Sequence, residues 1–446
     1  MNILLVTTYF YPQNRVPVLR VGQWAKYWAL QGHHVTVLTT LKYPFLGPYG
    51  LQPDLPDGVE VVEVPYLPRW LHRPPPTTQP ADAPGQSGAS SSTSALRRQL
   101  RKLRTHIGSL VDIHDLWVGP ARRKGLELMA ERSYDVIVSS FSPPAVHIVA
   151  SRLKAAHPDV AWMADFRDLW AANHITSAKG VLGWIEGAIE RRSLAGRADL
   201  LTTVSEPLAQ VLQARYPDLA VQVVENGFDP HEFPGWQQRL QRPPLVGDTL
   251  RICYTGTLYP GRRDPAPLLE AINTLIDDGT LDRQRVVVDF YGQNEKELAA
   301  MLARSDGNRH GIVHAHGLVS RSEALAAQAR SSLLLLLESA EPEARGVMTG
   351  KLFEYLVSGI PVLGVGIDTE SVAGALLHHT GTGFSSRSSD EIATQLARAV
   401  ESGRFSFYDP RPERIEPYAR DRQALEIVTR LSAARDAGLA KGLQSC

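Results

Sequence analysis

A glycine-containing loop, a lysine and a helix-period segment follow one another in ARGVMTGKLFEYLVSGIPVLGVG, residues 344–366. The stretch comes directly after the apolar run SSLLLLLES, which predicts a buried strand. Thr349, Gly350 and Lys351 stand where the helix begins, so their N–H groups have no intrahelical partner. Together with the Lys351 ammonium, these amides favour an anion such as phosphate. We therefore expect a phosphate-binding loop here.

The loop differs from that of the nucleotide hydrolases. A Walker A loop has four residues between its glycines and a Ser or Thr after the lysine, for magnesium. Gly346 and Gly350 enclose three residues, and Leu352 follows Lys351. The sequence therefore favours a diphosphate that departs over one that is cut by water.

Glu354 stands one helical turn beyond Lys351. Its carboxylate would repel a phosphate, so as a site residue it would accept hydrogen bonds from hydroxyl groups such as a ribose diol. Alternatively, Lys351 and Glu354 form a helix-surface pair worth a few tenths of a kcal/mol. The residues alone leave both interpretations open.

A second loop with cationic residues is YTGTLYPGRRDP, residues 254–265. A predicted strand ends at Gly256, and Arg262 and Arg263 follow a second glycine. Open parallel sheets bind ligands beyond the carboxyl ends of their strands. An arginine and Lys351 meeting there would neutralise a diphosphate without a metal.

The first half of the chain offers candidates for acceptor chemistry. Asp165 and Asp168 flank Arg167 at the end of a predicted strand, and either carboxylate could take or position a hydroxyl proton. The alternative is an Asp–Arg pair that caps the next turn. His147 is a further candidate, although a lone histidine is commonly structural.

Short apolar runs alternate with helix-period segments in two series, the second opening at LRICYTG. This alternation is typical of parallel sheets with crossover helices. The length of 446 residues also favours two domains of about 200 residues each. The Gly- and Pro-rich stretch 226–249 predicts the boundary between them.

Composition narrows the classes of function. The 47 basic and 47 acidic residues cancel, which gives no support for nucleic-acid binding. Two cysteines, Cys253 and Cys446, favour a reducing compartment. The N-terminus is typical of a first strand rather than a signal peptide, and no window approaches about 18 apolar residues. We expect a cytoplasmic protein.

One segment has a different composition. Residues 72–94 are rich in Pro, Ser and Gly, which predicts a disordered or loose loop. Residues 95–111 predict a basic amphipathic helix with Leu96, Leu100, Leu103, Ile107 and Leu110 on one stripe. It could pack on the sheet or lie on the cytoplasmic face of a membrane.

Several motifs together resemble the GT-B nucleotide-sugar glycosyltransferases of family 4 (group 1), in the bacterial surface-polysaccharide branch. They are YTGTLYPGRRDPAPLLEAI, DFYGQNE, HAHGLVSRSEAL, GKLFEYLVSGIPVLGVG, GTGFSSRSSDEI, YDVIVSSFSPPAVHIVA, WMADFRDLW and ENGFDPHEF. The resemblance implies an α/β, GT-B architecture of two doubly wound Rossmann-like domains that face each other across a cleft. We accordingly assign an acceptor-side domain to residues 1–230 and a donor domain to 231–415, with a helix at 416–446 that returns to the first domain.

The resemblance also implies roles for particular residues. Arg262 and Lys351 would hold the diphosphate, with the amides of Thr349 and Gly350 and the loop at Gly256. Glu354 would bind the ribose, and the backbone around Val319 would face the base. No metal and no cofactor are expected.

Two departures from the family pattern stand out. Gly346 occupies the place of the first of two glutamates eight positions apart, so Glu338, Glu341 or Glu343 would have to replace it. The first strand is followed by YPQNRVPVLR instead of a glycine pair, and Arg15 or Arg20 there could meet a charged substrate.

The function that the resemblance implies is that of a retaining glycosyltransferase. It would move a sugar from a nucleoside-diphosphate sugar to a saccharide or lipid-linked saccharide acceptor in cell-envelope polysaccharide synthesis. A sugar-nucleotide epimerase or hydrolase, or a non-catalytic nucleotide-sugar binding protein, are the alternatives.

Overall fold

The computed structural model describes residues 1–43, 46, 47, 49–68, 110–173, 178, 180–241, 246–258, 263–292, 295–305, 307–339 and 348–444. The chain divides into two compact units, one of Met1–Glu225 with Arg420–Cys446 and one of Asn226–Ala419. Each unit has a parallel sheet with helices, which confirms the α/β prediction. The divisions fall a few residues from those assigned above.

The first unit is a seven-stranded parallel sheet in the order β3-β2-β1-β4-β5-β6-β7. Its strands are β1 (Asn2–Val6), β2 (His34–Thr40), β3 (Val59–Val64), β4 (Val136–Phe141), β5 (Ala161–Phe166), β6 (Leu200–Thr203) and β7 (Ala220–Val223). Its helices are α1 (Val16–Leu30), α2 (Val118–Glu131), α3 (Ala145–Ala156), α4 (Val181–Leu194) and α5 (Glu206–Arg215). The central strands are apolar runs because helices cover both faces of such a sheet.

The last helix, Arg420–Gln444, belongs to the first unit. Its Ile427 and Leu431 share a buried cluster with Trp28 of α1. The Trp28 indole nitrogen also donates to the carbonyl of Ala424 at 3.0 Å. Burial of these apolar side chains fixes the C-terminal helix against the first sheet.

The second unit is a six-stranded parallel sheet in the order β10-β9-β8-β11-β12-β13. Its strands are β8 (Leu250–Thr255), β9 (Val286–Tyr291), β10 (Val313–Ala315), β11 (Leu333–Leu337), β12 (Val362–Val365) and β13 (Gly383–Ser386). Its helices are α6 (Trp236–Leu240), α7 (Ala266–Asp277), α8 (Glu295–Ser305), α9 (Arg321–Ala329), α10 (Gly350–Leu356), α11 (Val372–Thr380), α12 (Ser389–Ser402) and α13 (Pro412–Ile415); we label Arg420–Gln444 α14.

The strand order of the second unit reverses direction between β8 and β11. The loops that follow these two strands therefore leave the sheet side by side at its carboxyl edge. Such a switch point is where doubly wound sheets bind their ligands. The two cationic loops found in the sequence are these two loops.

Some expectations fall outside the described residues, namely the loose loop at 72–94, residues 95–109 of the basic helix, Arg262 and Gly346. In the part of the chain that the structure describes, no helix is both long and apolar enough to cross a bilayer. Among those same residues, no group of three His, Cys, Asp or Glu side chains could hold a metal ion.

Candidate functional site

Lys351 lies at the switch point of the second sheet. Helix α10 begins at Gly350 with Thr349 as its N-cap residue, as the sequence predicted. The helix is only 7 residues long. Because so short a helix sums few peptide dipoles, anion binding here depends mainly on side-chain cations.

The Lys351 ammonium rests against Tyr254, the penultimate residue of β8. Its Nζ donates to the Tyr254 hydroxyl at 3.2 Å and lies 4.3 Å from the centre of the ring. The Tyr254 hydroxyl in turn donates to the carbonyl of Thr257 at 2.9 Å. These contacts orient the cation without cancelling its charge.

Gly256 makes room for this lysine. Its φ is +142°, a conformation that other residues rarely adopt. A Cβ atom at Gly256 would lie 2.4 Å from Lys351 Nζ. The glycine that follows β8 and the lysine in the first turn of α10 are therefore a matched pair, although 95 positions separate them in the sequence.

Burial, and next the nearby Arg263 guanidinium, lower the pKa of Lys351 to about 7, against the opposing effect of Glu338 and Glu354. An ammonium that is partly withdrawn from solvent, as Lys351 is, is stabilised by a neighbouring negative charge. An anion bound here would raise the pKa of Lys351 again. The pocket therefore favours an anionic ligand on electrostatic grounds.

Glu338 follows β11, and its carboxylate contacts Thr349 and Arg263, which lie near Lys351. Its side chain is buried, and its Oε1 accepts a hydrogen bond from Thr349 Oγ1 at 2.8 Å. Its Oε2 lies 3.4 Å from Arg263 Nη2. The carboxylate thus links the loop after β8 to the loop after β11.

Glu354 pairs with an arginine rather than with Lys351. Arg321 Nη2 lies 3.0 Å from Glu354 Oε1 and 2.8 Å from Glu232 Oε2. Burial raises the pKa of Glu354, while Arg321 opposes that rise. The helix-surface pair between Lys351 and Glu354 that the sequence allowed is therefore not formed.

Of the remaining donor-side candidates, Val319 lies within the described residues and Arg262 does not. Val319 lies on the loop after β10, directly before Ser320, which caps α9 through the amide of Glu323 at 3.2 Å. Arg262 lies outside the described residues, whereas its neighbour Arg263 reaches Glu338. The structure thus brings together Gly256, Thr349, Gly350 and Lys351.

Asp165, in the first unit, is a buried residue that is hydrogen-bonded within the fold. It is fully buried, and it accepts hydrogen bonds from Arg20 Nη2 at 2.8 Å, from Ser140 at 2.7 Å and from Thr202 at 2.9 Å. Although burial acts to raise it, Arg20 and these hydrogen bonds hold the pKa of Asp165 below its ordinary value. This placement argues against a direct contact between Asp165 and an acceptor.

His147 is also an interior residue. It is fully buried, its Nδ1 lies 2.8 Å from the Ser139 hydroxyl, and its ring lies 4.7 Å from that of Phe166. Burial lowers the pKa of His147 to about 3, so the imidazole is neutral. Asp168, by contrast, is exposed just after β5. Of the three acceptor-side candidates, Asp168 is the one that solvent reaches.

Sequence reasoning missed two residues of the donor-side pocket. Tyr254 belongs to the loop motif YTGTLYPGRRDP, but its partner Lys351 is 97 positions away in the sequence. Arg321 comes from α9, 33 positions before Glu354. An aromatic residue two positions before the strand-ending glycine was a usable signal for Tyr254; nothing in the local pattern indicated Arg321.

Residues 17–227 match the model of the Glycosyl transferase 4-like domain. A search of the curated protein sequences finds no significant match. Among solved structures, sucrose-phosphate synthase from Thermosynechococcus elongatus is 12% identical with a TM-score of 0.59, covering 98% of this chain and 99% of that chain.

Two further solved structures are similar along nearly their whole length. The apo form of lipopolysaccharide outer core galactosyltransferase WaaB is 11% identical, with a TM-score of 0.56 and coverage of 97% of this chain and 99% of that one. A glycosyltransferase from Rickettsia africae ESF-5 is 11% identical, with a TM-score of 0.58 and coverage of 97% and 98%. At these identities the likeness shows the fold. The chain has the GT-B fold, and its residues 17–227 match the Glycosyl transferase 4-like domain.

Proposed function

We propose that this protein transfers a glycosyl group, with retention of anomeric configuration, from a nucleoside-diphosphate sugar to a saccharide or lipid-linked saccharide. We assign it to cell-envelope polysaccharide synthesis in the cytoplasm, on the resemblance to the surface-polysaccharide branch of family 4. The observation that carries the proposal is the Lys351 ammonium, held by the neutral Tyr254 beside Arg263 at the switch point of the second sheet.

The diphosphate is the group that this pocket suits best. Lys351 and Arg263, with Arg262 by resemblance, would neutralise its charges, and the amides of Thr349 and Gly350 would donate to its oxygens. Fixed cations stabilise the charge that develops on a departing diphosphate, and such electrostatic help is usually the largest contribution to rate. Protein cations would then do the work that a metal does in other transferases.

Glu338 has a proposed role in donor binding. In the free protein its carboxylate accepts from Thr349 Oγ1 and pairs with Arg263. When the diphosphate arrives, both groups would turn to phosphate oxygens. The released Glu338 carboxylate would then accept hydrogen bonds from the donor sugar, in place of the glutamate that Gly346 replaces.

The nucleoside would lie along the same edge of the sheet. We propose that Glu354, oriented by Arg321 at 3.0 Å, accepts the ribose hydroxyls. The backbone around Val319 would face the base. Both proposals rest on the family resemblance, and the Arg321 contact supports the first because it fixes the carboxylate.

In the reaction, the bond between the anomeric carbon and the diphosphate oxygen breaks, and a bond from the same carbon to the acceptor oxygen forms. The nucleoside diphosphate leaves, and the acceptor hydroxyl proton passes to its departing oxygen. We propose Asp168 for the acceptor side because it is exposed. Asp165 would support the site indirectly, by holding Arg20.

The test is a panel of nucleotide sugars measured by ligand-observed NMR, followed by turnover with saccharide acceptors. Wild type and the control Lys296→Met, an exposed lysine of α8, should bind one donor class with equal affinity, and Lys351→Met should bind it much more weakly. Donor hydrolysis that is as fast without acceptor as with it would contradict a transferase. Equal donor binding by Lys351→Met would contradict the assigned site.

A further inference from the structure

Helix α4, Val181–Leu194, has the reverse polarity of an ordinary surface helix. Its exposed face is apolar, and the exposed fractions are 76% for Val181, 69% for Trp184, 38% for Leu182, 37% for Ile185 and 37% for Ile189. Its buried face carries the carboxylates Glu186 and Glu190, which are 0% and 1% exposed. Surface helices normally place apolar residues inward and charges outward.

Both buried carboxylates accept hydrogen bonds from other residues of the first unit. Glu186 Oε2 accepts from the amide of Ala178 at 2.7 Å. Glu190 accepts from the amide of Ala171 at 2.6 Å and from the Tyr216 hydroxyl at 2.7 Å, and pairs with Arg215 at 3.1 Å. Buried charges are tolerated when they are paired in this way. The inward position of the carboxylates is thus built into the first unit, and it leaves the apolar face outward.

A neighbouring segment extends the apolar surface. Val111 is 71% exposed, Leu116 60% and Ile113 41%. Between this segment and α4 lies a groove of about 300 Å³ whose apolar lining includes Leu110, Val118, Ile148, Trp170 and Ile189. Contiguous exposed apolar surface of this kind marks an interaction site.

Arginines surround the apolar surface. Arg191 and Arg192 are exposed in the last turn of α4. A second groove, which shares Gly119 and Arg152 with the first, is also lined by Arg122, Arg123 and Glu127.

The carboxylates near these arginines are engaged within the fold. Asp115 accepts from the amide of Asp112 at 2.8 Å, and Glu127 pairs with Lys124 at 3.3 Å. The arginines at this border (Arg122, Arg123, Arg152, Arg191 and Arg192) outnumber the carboxylates that line the two grooves (Asp115, Glu127 and Glu186), so the border carries a net positive charge.

We propose that this face, which we call the α4 face and define by Val111, Leu116, Val181, Trp184 and Ile185, docks on an anionic lipid bilayer. Apolar side chains would enter the acyl boundary, and Trp184 would sit at the interface that tryptophan prefers. The surrounding arginines would contact lipid phosphates. A bilayer matches both features at once, because it offers an apolar layer bordered by negative charge.

The test is co-sedimentation with vesicles of phosphatidylcholine alone or mixed with phosphatidylglycerol. Wild type should bind the mixed vesicles, and Trp184→Ser/Ile185→Ser should bind about tenfold or more weakly. The control Leu425→Ser, at a 49% exposed leucine of α14, should bind like wild type. Arg191→Glu/Arg192→Glu should lose the preference for phosphatidylglycerol, whereas the exposed pair Arg398→Glu/Arg404→Glu should keep it.

Other outcomes would overturn the proposal. Equal vesicle binding by Trp184→Ser/Ile185→Ser and wild type would exclude the α4 face. A wild-type dimer in solution that this variant dissociates would assign the face to a second copy. A lower unfolding midpoint of the variant would assign it to another segment of the chain, such as residues 95–109. Affinity for the donor without vesicles should stay at the wild-type value throughout, which separates this proposal from the proposed function.

Discussion

Each unit contains a cation withdrawn from solvent near the carboxyl edge of its sheet, and the two cations have different partners. Arg20 in the first unit is 1% exposed and faces the Asp165 carboxylate at 2.8 Å, with the carbonyls of Val224 and Glu225 at 2.9 and 3.0 Å. Lys351 in the second unit faces the neutral hydroxyl and ring of Tyr254. Within the described residues, no carboxylate pairs directly with Lys351.

The difference separates a structural charge from a charge available to a ligand. Arg20 and Asp165 neutralise each other, so neither needs a substrate. Lys351 has a pKa lowered to about 7, because burial and Arg263 disfavour its charged form. A half-buried cation of this kind is stabilised when a ligand supplies the missing negative charge.

Removing the carboxylate of the paired site should have the largest effect. Asp165→Ala leaves the Arg20 guanidinium buried without its partner, and we expect the free energy of unfolding of the first unit to fall by about 3–5 kcal/mol. Urea titration followed by tryptophan fluorescence measures this loss, since Arg20 lies 4.3 Å from the Trp24 ring. The matched control is Asp168→Ala, exposed and three positions away, which should change the unfolding free energy by at most about 0.5 kcal/mol. Similar small losses for both variants would remove the distinction between the two sites.

Removing the unpaired cation should cost function rather than stability. Lys351→Met should lower kcat/KM by about 100-fold, or about 2.7 kcal/mol of transition-state stabilisation. Its thermal midpoint should equal or exceed that of wild type, because the folded protein disfavours the charged lysine. Steady-state kinetics and calorimetry of Lys351→Met and Lys296→Met measure both effects. A large drop in midpoint with kcat/KM unchanged would make Lys351 a structural residue like Arg20.

Crowding the unpaired cation should have a smaller effect. Gly256→Ala places a Cβ atom 2.4 Å from Lys351 Nζ, so the ammonium must move, and we expect donor affinity to fall about tenfold. Gly279→Ala is the matched control, since its φ is +79° and nothing lies within 4 Å of the added Cβ. It carries the backbone strain without the contact, so it should bind donor like wild type. Equal affinity losses in the two variants would show that strain, and not the position of Lys351, is responsible.

The sequence predicted most strands of the fold, but it did not predict which side chains contact each other across the fold. The apolar runs in the sequence predicted twelve strands, β1 to β12. The exception is β13, Gly383–Ser386, because GFSS contains a single large apolar residue. Local patterns reveal strands that are rich in apolar or β-branched residues, including the edge strands β3, β7 and β10, and they miss a strand made mainly of Gly and Ser.

The sequence predicted the parts of the candidate site that have local sequence signals, and it did not predict contacts between distant residues. The Lys351 loop and Gly256 were found because loop glycines and helix starts have local signals. Asp165 was selected for its residue type, but its role depends on Arg20, which is 145 positions away. In the same way, nothing in the sequence of α4 indicates that Glu186 and Glu190 point inward. Long-range packing decides these cases.

The pH dependence of donor binding follows from the same unpaired cation. Lys351 has a pKa of about 7 in the free protein, and a bound diphosphate raises that pKa. Affinity should therefore be highest below pH 7 and should weaken as pH rises above it, by up to about tenfold per pH unit until the pKa of the complex is reached. The two phosphates of a nucleotide sugar stay ionised throughout, so the change belongs to the protein.

Proton uptake on donor binding tests this account most directly. Isothermal titration calorimetry at pH 8, in buffers of different ionisation enthalpy, counts the protons taken up when the nucleoside-diphosphate sugar binds. We predict an uptake approaching one proton for wild type and for Lys296→Met, and none for Lys351→Met. Binding without proton uptake by the wild-type protein, or equal uptake by Lys351→Met, would contradict the claim that Lys351 is a half-buried cation that binds the diphosphate.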